Sequence, residues 1–305
     1  MDLSVITVNY NTADLVGQLV ASIEKNTKGL NYEVIVVDNN SLKESTDHLD
    51  KIAKGDRKIK LIKNNENKGF GFANNRGFES SKGKYVLFIN SDTLINSNLL
   101  KDMTLWMERH NEVGVASCAL KNTDGTYQET GGYFPTLFRV FCWMTFVDDI
   151  PYIDRLIKPF HPMHSQSFLS KNVEHFKTTK EVDWLTGAFL LTRRKILKKL
   201  GAFDKDFFMY TEDVELCFRI KKVGWKILYL PEWEITHIGG ASSVKEFPIL
   251  KEYEGIKLFY KKHNSNVEYQ LLRLFLKIGA ILRMLVFFIV KGAVPKTYAK
   301  AFRLA

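Results

Sequence analysis

Apolar and polar positions alternate along this chain in a pattern that repeats four times. Leu3-Ser4-Val5-Ile6-Thr7-Val8 predicts a first strand, and Asn9-Tyr10-Asn11-Thr12 is its polar exit. Leu15, Val16, Leu19, Val20 and Ile23 then recur at helical spacing, with Asn11 or Thr12 available as N-cap. Val34-Ile35-Val36-Val37 predicts a second strand that ends in Asp38-Asn39-Asn40-Ser41, a helix runs to about Ala53, and Ile59-Lys60-Leu61-Ile62 follows as a short strand. A polar, glycine-bearing loop from Asn64 to Gly77 runs into a short helix. Tyr85-Val86-Leu87-Phe88-Ile89 is then a continuous apolar strand leading straight into Asn90-Ser91-Asp92. Unbroken apolar strands alternating with helices predict a parallel α/β sheet with both faces covered.

Ligands of open α/β sheets bind beyond the carboxyl ends of the strands. All four strand exits carry Asp or Asn. Any one of them reads equally as turn chemistry. Asp38 and Asp92 at two separate exits point to a shared crevice.

A helix over 98–110, a strand from Val113 to Cys118 and a hairpin at Asp124-Gly125 continue the fold. From Tyr133 to about Lys180 the periodicity fades, and Pro135, Pro151, Pro159 and Pro162 lie among aromatics, as in a functional loop or lid. Regular structure resumes over Val182–Leu191, followed by a basic helix that Gly201 closes. Thr211 is placed to cap a helix whose first turn holds Glu212, Asp213 and Glu215. Such acids offset the helix dipole without any catalytic purpose, so position alone does not make them functional. Trp225–Tyr229 and Glu234–His237 read as two further strands.

At 305 residues the chain can bury one large core with an appendage. Cys118, Cys142 and Cys217 are scattered, without CxxC spacing, which argues against disulfides or zinc and fits a reducing compartment. A strand starting at Leu3 leaves no room for a signal peptide. From Lys245 to Ala305 there are twelve Lys/Arg against four Glu, a surplus of eight within the overall +10. The reading is therefore a main α/β domain over 1–240 and a basic amphipathic helical tail over 241–305.

Gly69-Phe70-Gly71 invites a dinucleotide reading, but Asn74 stands where the third glycine belongs, and no GxxxxGK[ST] occurs. An oxidoreductase is disfavoured. Nucleic acid is disfavoured too, because the basic residues lie in a Leu- and Phe-rich tail and not among stacking aromatics.

Taken in order, Val5–Asn11, Val36–Ser41, Asn67–Ala73 leading to Asn90-Ser91-Asp92, and Tyr210–Asp213 with His237 resemble the inverting, nucleotide-sugar-dependent glycosyltransferases of the A-type fold. The likeness is closest to the bacterial rhamnosyltransferase-like members and covers roughly residues 3–240. It implies a mostly parallel, Rossmann-like α/β sheet flanked by helices. Thr7, Asn9, Tyr10, Asn11, Asp38, Asn40, Lys68, Gly69, Asn74, Asn90, Ser91 and Asp92 are its implied contacts to the nucleotide sugar. Asp92 and His237 would hold Mg²⁺ or Mn²⁺, Asp213 would be the general base, and Asp183, Trp184 and Glu212 would shape the acceptor site. Many relatives have Asp-x-Asp where this chain has Asn90-Ser91-Asp92, so fewer charges hold the metal. The implied donor is dTDP-L-rhamnose, with UDP-hexoses and UDP-galactofuranose as alternatives, and the acceptor a glycan or polyprenyl-linked saccharide. A scaffold of the same fold without turnover is the competing class, against which both Asp92 and Asp213 are present.

The stretch Leu271–Val290 has the length of a membrane span but is interrupted by Arg273, Lys277 and Arg283. At about 100° per residue these and Lys291 fall within an arc of roughly 120°. This predicts a helix lying on the anionic inner face of the cell membrane, its basic arc in the headgroups. A helix packed back on the enzyme, or a homodimer contact, is the alternative.

Overall fold

The computed structural model describes residues 1–150, 152–162, 173–239, 246–289 and 295–305. The predicted alternation is present as β1 (Leu3–Asn9), α1 (Ala13–Asn26), β2 (Tyr32–Asp38), α2 (Lys43–Gly55), β3 (Ile59–Lys63), α3 (Phe70–Ser80) and β4 (Tyr85–Ile89). The chain continues through β5 (Thr93–Ile95), α4 (Leu99–Arg109), β6 (Val113–Lys121), β7 (Gly131–Gly132), α5 (Leu137–Met144), α6 (Ile153–Ile157), β8 (Lys180–Glu181) and β9 (Trp184–Leu185). It ends with β10 (Phe189–Arg193), α7 (Arg194–Leu200), α8 (Glu212–Lys222), β11 (Lys226–His237), α9 (Glu246–His263), α10 (Asn266–Ile289) and α11 (Pro295–Leu304).

The main sheet runs β3-β2-β1-β4-β10-β6-β11-β5, with β8 on the side of β11. It is mostly parallel; β10 is antiparallel to β4 and β6, and β5 and β8 to β11. Because strand side chains alternate in direction, each apolar run feeds two cores. Val5, Val34, Val36, Leu87 and Ile89 face α1 and α4, whereas Ile6, Ile35, Val37, Val86 and Phe88 face the layer that contains α3, α8 and α9. The parallel register sets Asn9 level with Asp38, so the polar exits gather at one edge.

The periodicity-poor stretch contains a helix. Residues 137–144 read LFRVFCWM, apolar nearly all round, so no amphipathic period marks them. Val140, Trp143 and Met144 are buried, and this part of the segment is core and not a lid. Residues 163–172, also within the expected loop, lie outside the described residues. Strand 182–191 divides into β9 and β10 around Thr186-Gly187-Ala188, and the two expected strands near the end join as β11, with a bulge between Leu230 and Glu234.

The expected boundary at residue 240 does not separate two cores. Tyr253, Ile256, Leu272, Leu276, Ala280 and Ala301 pack in the same cluster as Phe88. Nor does the basic arc face outward as one surface. Arg283 is 5% exposed, and its guanidinium donates to the carbonyls of Trp143 (2.7 Å) and Met144 (2.9 Å). It thereby caps the carboxyl end of α5, where helix carbonyls lack intrahelical partners and favour a cation. Lys291 lies outside the described residues. No helix among the described residues is long and apolar enough to cross a membrane.

Candidate active site

A cavity of about 500 Å³ opens at the carboxyl edge of the sheet. Tyr10, Asn90, Ser91, Asp92, Glu212, Asp213 and His237 line it, as the sequence motifs predict.

Asp92 follows β4 and His237 ends β11, far apart in the sequence, and strand pairing joins them. β5 and β11 pair so that His237 sits opposite Thr93, and Ile238 N–H donates to the Asp92 carbonyl at 2.8 Å. His237 Nε2 is consequently 3.2 Å from Asp92 Oδ1. Gln128 fixes the ring. Its Nε2 donates to the His237 carbonyl and to Asn122 Oδ1, both at 2.6 Å, which leaves its Oε1 to accept from His237 Nδ1–H at 2.6 Å. The proton is thus on Nδ1, and Nε2 presents a lone pair beside the Asp92 carboxylate. Asn90 Nδ2 lies 3.4 Å from the same nitrogen. A carboxylate and an imidazole lone pair turned toward one another form a donor set suited to a divalent cation, with the back-side hydrogen bond typical of metal-binding histidines. No group of three or more His, Cys, Asp or Glu arranged for a metal occurs among the described residues. Mg²⁺ or Mn²⁺ fits such a pair when diphosphate oxygens and water complete its shell.

Asp213 and Glu212 open α8. Thr211 occupies the N-cap position but makes no side-chain cap; it and Tyr210 have φ of 70° and 67°. A left-handed conformation is costly for a β-branched residue, and such strain persists where surrounding structure enforces it. Here α9 does so: Gly255 packs directly on the Thr211 side chain and the Tyr210 carbonyl, where a methyl group has no room. Asp213 accepts N–H bonds from Gly187 (3.1 Å) and Val214 (2.8 Å). Burial raises its pKa, and those two donors work against the rise. Glu212 is raised well above the usual carboxylate range by burial and by the neighbouring Asp213, and its Oε2 has no partner among the described residues. Two adjacent buried carboxyls do not both ionise cheaply, and the two N–H donors to Asp213 favour the charge there over Glu212. The third acid of this turn, Glu215, is committed to Arg219 (2.8 Å) and His263 (3.2 Å) and serves structure alone.

Several expected contacts stay out of the cavity wall. Thr7 is wholly buried inside β1. Asn9 and Asp38 bind each other at 2.8 Å, and Asp38 also takes Ser41 N–H and Thr46 Oγ1, so its carboxylate organises its own loop. Asn11 and Asn40 supply positive φ for the turns (59° and 64°). Lys68 pairs with Glu66, and Asn74 donates to the Phe70 carbonyl within α3. Gly69, at φ 94°, lies so close to the Phe208 carbonyl that no side chain fits, and Phe70 N–H donates to that carbonyl at 2.8 Å. Of the expected acceptor residues, Asp183 is held by Lys221 (2.7 Å), Arg139 and Phe134 N–H, and Trp184 is 6% exposed against Phe160 and His161. Neither side chain lines the cavity.

Other lining residues carry no role assigned from the sequence. Asn39 and Asn67 adjoin predicted positions and bind each other at 2.8 Å. Phe208, Met209 and Phe247 reach the cavity through tertiary packing alone. Thr186-Gly187 and Glu129 interrupt or follow strands, with no local pattern that marks them. Gln128 carries no motif signal either.

Asp92, just after β4, and Asp213, in the first turn of α8, line the same cavity. The chain belongs to glycosyl transferase family 2, whose sequence model matches residues 4–201. It is 25% identical over 247 residues to an N-acetylglucosaminyl-diphospho-decaprenol L-rhamnosyltransferase of Mycobacterium tuberculosis, covering 77% of this chain and 75% of that one. It is 24% identical over 246 residues to rhamnosyltransferase WbbL of Escherichia coli, covering 76% and 82%. In fold it is similar to mannosyltransferase PcManGT of Pyrobaculum calidifontis, solved with GDP-Man and Mn²⁺, with a TM-score of 0.60, 15% identity and coverage of 99% and 83%.

Proposed function

We propose that this protein is an inverting rhamnosyltransferase that moves L-rhamnose from dTDP-L-rhamnose to a hydroxyl of a lipid-linked saccharide during cell-surface polysaccharide synthesis. The observation that carries the transferase chemistry is the buried Glu212–Asp213 pair beside the Asp92–His237 pair in one cavity. The rhamnose donor and lipid-linked acceptor are supported by the names of the two relatives above.

The acceptor hydroxyl gives its proton to Asp213 as its oxygen attacks the anomeric carbon. The bond from that carbon to the diphosphate oxygen breaks on the opposite face, so configuration inverts. Glu212, holding its proton, keeps a second negative charge away from the base. Asp92 and His237 would hold Mg²⁺ or Mn²⁺, which when bound offsets the charge on the departing diphosphate. A scaffold without turnover is less consistent with two ionisable pairs retained at this burial cost. A panel of nucleotide sugars, scored with Mn²⁺ present and then chelated, tests the reading. Turnover of dTDP-L-rhamnose that chelation abolishes supports it; turnover of a UDP-sugar alone overturns the donor assignment.

A place on the inner, anionic face of the membrane belongs to the same proposal, in altered geometry. Val267, Leu271, Leu274, Ile281, Leu285 and Phe288 are 40–83% exposed. At about 100° per residue they share an arc of roughly 100° on α10, opposite the buried Leu272, Leu276 and Arg283. Exposed Lys296, Lys300 and Arg303 of α11 provide positive charge nearby. An apolar stripe bordered by basic groups matches acyl chains beneath anionic headgroups. A homodimer contact through the same stripe is the alternative outcome of the liposome experiment below.

A further inference from the structure

His161 is the buried titratable group that the chemistry above leaves unused. Its Nδ1 is 3.0 Å from Glu129 Oε1 and its Nε2 is 2.6 Å from Glu252 Oε1. Phe160, Trp143 and Trp184 enclose the ring, with centroids 4.0, 5.2 and 5.7 Å away. Glu129 lines the cavity, whereas Glu252 comes from α9. The three side chains are only 10–22% exposed.

Burying two carboxylates and an imidazole is a poor way to stabilise a fold, because an apolar side chain of similar size among three aromatics commonly does as well or better. What the arrangement does achieve is one carboxylate held in one orientation on the cavity wall. Burial disfavours the imidazolium, but the two carboxylates outweigh it and hold His161 protonated.

The position of Glu129 says what that carboxylate meets. The preceding residue, Gln128, clamps His237. The following residue, Thr130, accepts the Thr186 N–H at 3.0 Å, and the next residue, Gly187, donates to Asp213. Glu129 therefore sits in the short segment before β7, between the residue that clamps His237 and the residue that binds beside Gly187, the donor to Asp213. A sugar that brings one hydroxyl to Asp213 places its neighbouring hydroxyls along this wall.

We infer that Glu129 is an acceptor-binding residue that takes a hydrogen bond from a hydroxyl beside the attacking one, and that His161, backed by Glu252, is the positioning residue that fixes its carboxylate. The inference rests on the transferase reading above and specifies the ligand at this wall as a neutral, hydroxyl-bearing sugar. A charge-assisted hydrogen bond of this kind is also a means of rejecting acceptors that lack the hydroxyl.

The test uses the full chain, dTDP-L-rhamnose, Mn²⁺ and N-acetylglucosamine linked through diphosphate to a decyl chain, together with its monodeoxy analogues. Glu129→Gln should raise the acceptor KM about 10- to 100-fold, the scale of one hydrogen bond to a charged group. The donor Kd by calorimetry should move less than about two-fold. For one deoxy analogue the wild type and Glu129→Gln should have the same KM, since both have lost the same contact. His161→Phe, which keeps the aromatic packing, and the more peripheral Glu252→Gln should shift KM in the same direction with smaller effects on kcat. An unchanged KM in Glu129→Gln, or additive losses for every analogue, overturns the role of Glu129 alone. A wild type that transfers to none of these sugars overturns this inference and the transferase proposal together.

Discussion

The side-chain oxygen of Gln128 accepts the Nδ1 proton of His237 at 2.6 Å, and the Gln128 amide cannot be turned the other way without losing two acceptors. A residue seven positions past the end of β6 thus decides which imidazole nitrogen faces Asp92. The pairing exists only because β6 and β11 lie side by side.

Gln128→Leu removes that restraint while keeping comparable bulk. It should weaken Mn²⁺ binding about 10- to 100-fold, the usual effect of losing a group that orients a metal ligand. Calorimetry of Mn²⁺ with dTDP present reads this without turnover. Equal affinity in the variant would detach Gln128 from the cation site.

Gly255→Ala is a second expectation that sequence propensity reverses. Alanine favours a helix interior by about 1 kcal/mol over glycine. Here the added methyl meets the Thr211 side chain and the Tyr210 carbonyl. Overpacking should cost about 1–3 kcal/mol and displace the turn that presents Asp213. Thermal unfolding with parallel turnover assays measures both; a raised Tm with full activity contradicts the packing argument.

Glu212 makes stability depend on pH. Its folded pKa lies well above the ordinary 4.5, so between that value and the raised one the folded state binds more protons than the unfolded. Stability from this group is therefore present at low pH and is lost as pH rises through the folded pKa. Glu212→Gln should flatten the loss and gain roughly 1–3 kcal/mol at pH 8 relative to pH 5, the scale of an unsatisfied buried polar group. Parallel pH–stability curves for variant and wild type would contradict the assignment.

The outward stripe of α10 is tested by substitution and not by truncation. Deleting α10 exposes Leu272 and Leu276, each contributing about 1.5–3 kcal/mol, and removes the Arg283 cap on α5. Leu285→Glu with Phe288→Glu leaves those contacts intact. The pair should release the protein from anionic liposomes while Tm stays within a few degrees. Absence of liposome binding by the wild type at low salt, with a dimer that the same substitutions dissociate, would replace the lipid with a second copy.

The strand–helix alternation was legible because parallel strands buried on both faces leave continuous apolar runs, and Asp92, Asp213 and His237 were legible because they close ordered motifs. Asp38 and Asn9 bind each other and their own loop, a pairing that an Asx-rich exit does not reveal because it looks the same whether it serves a ligand or its own turn. The partners of Asp183, Lys221 and Arg139, come from distant elements that local sequence does not announce. Helix α5 was hidden by being apolar on all sides, and Arg283 by having its partners, Trp143 and Met144, some 140 residues away. Glu129, Gln128 and His161 depend on pairings between distant elements, which no local period encodes.

The central claim is that Asp213 is the base of an inverting sugar transfer. Single-turnover transfer from dTDP-L-rhamnose, followed for wild type and Asp213→Asn with donor affinity measured on the same samples, tests it most directly. The account predicts a product of inverted anomeric configuration and a loss of about 10²- to 10⁴-fold in the variant, with the donor Kd nearly unchanged. Near-normal turnover by Asp213→Asn, or a product of retained configuration, would contradict it.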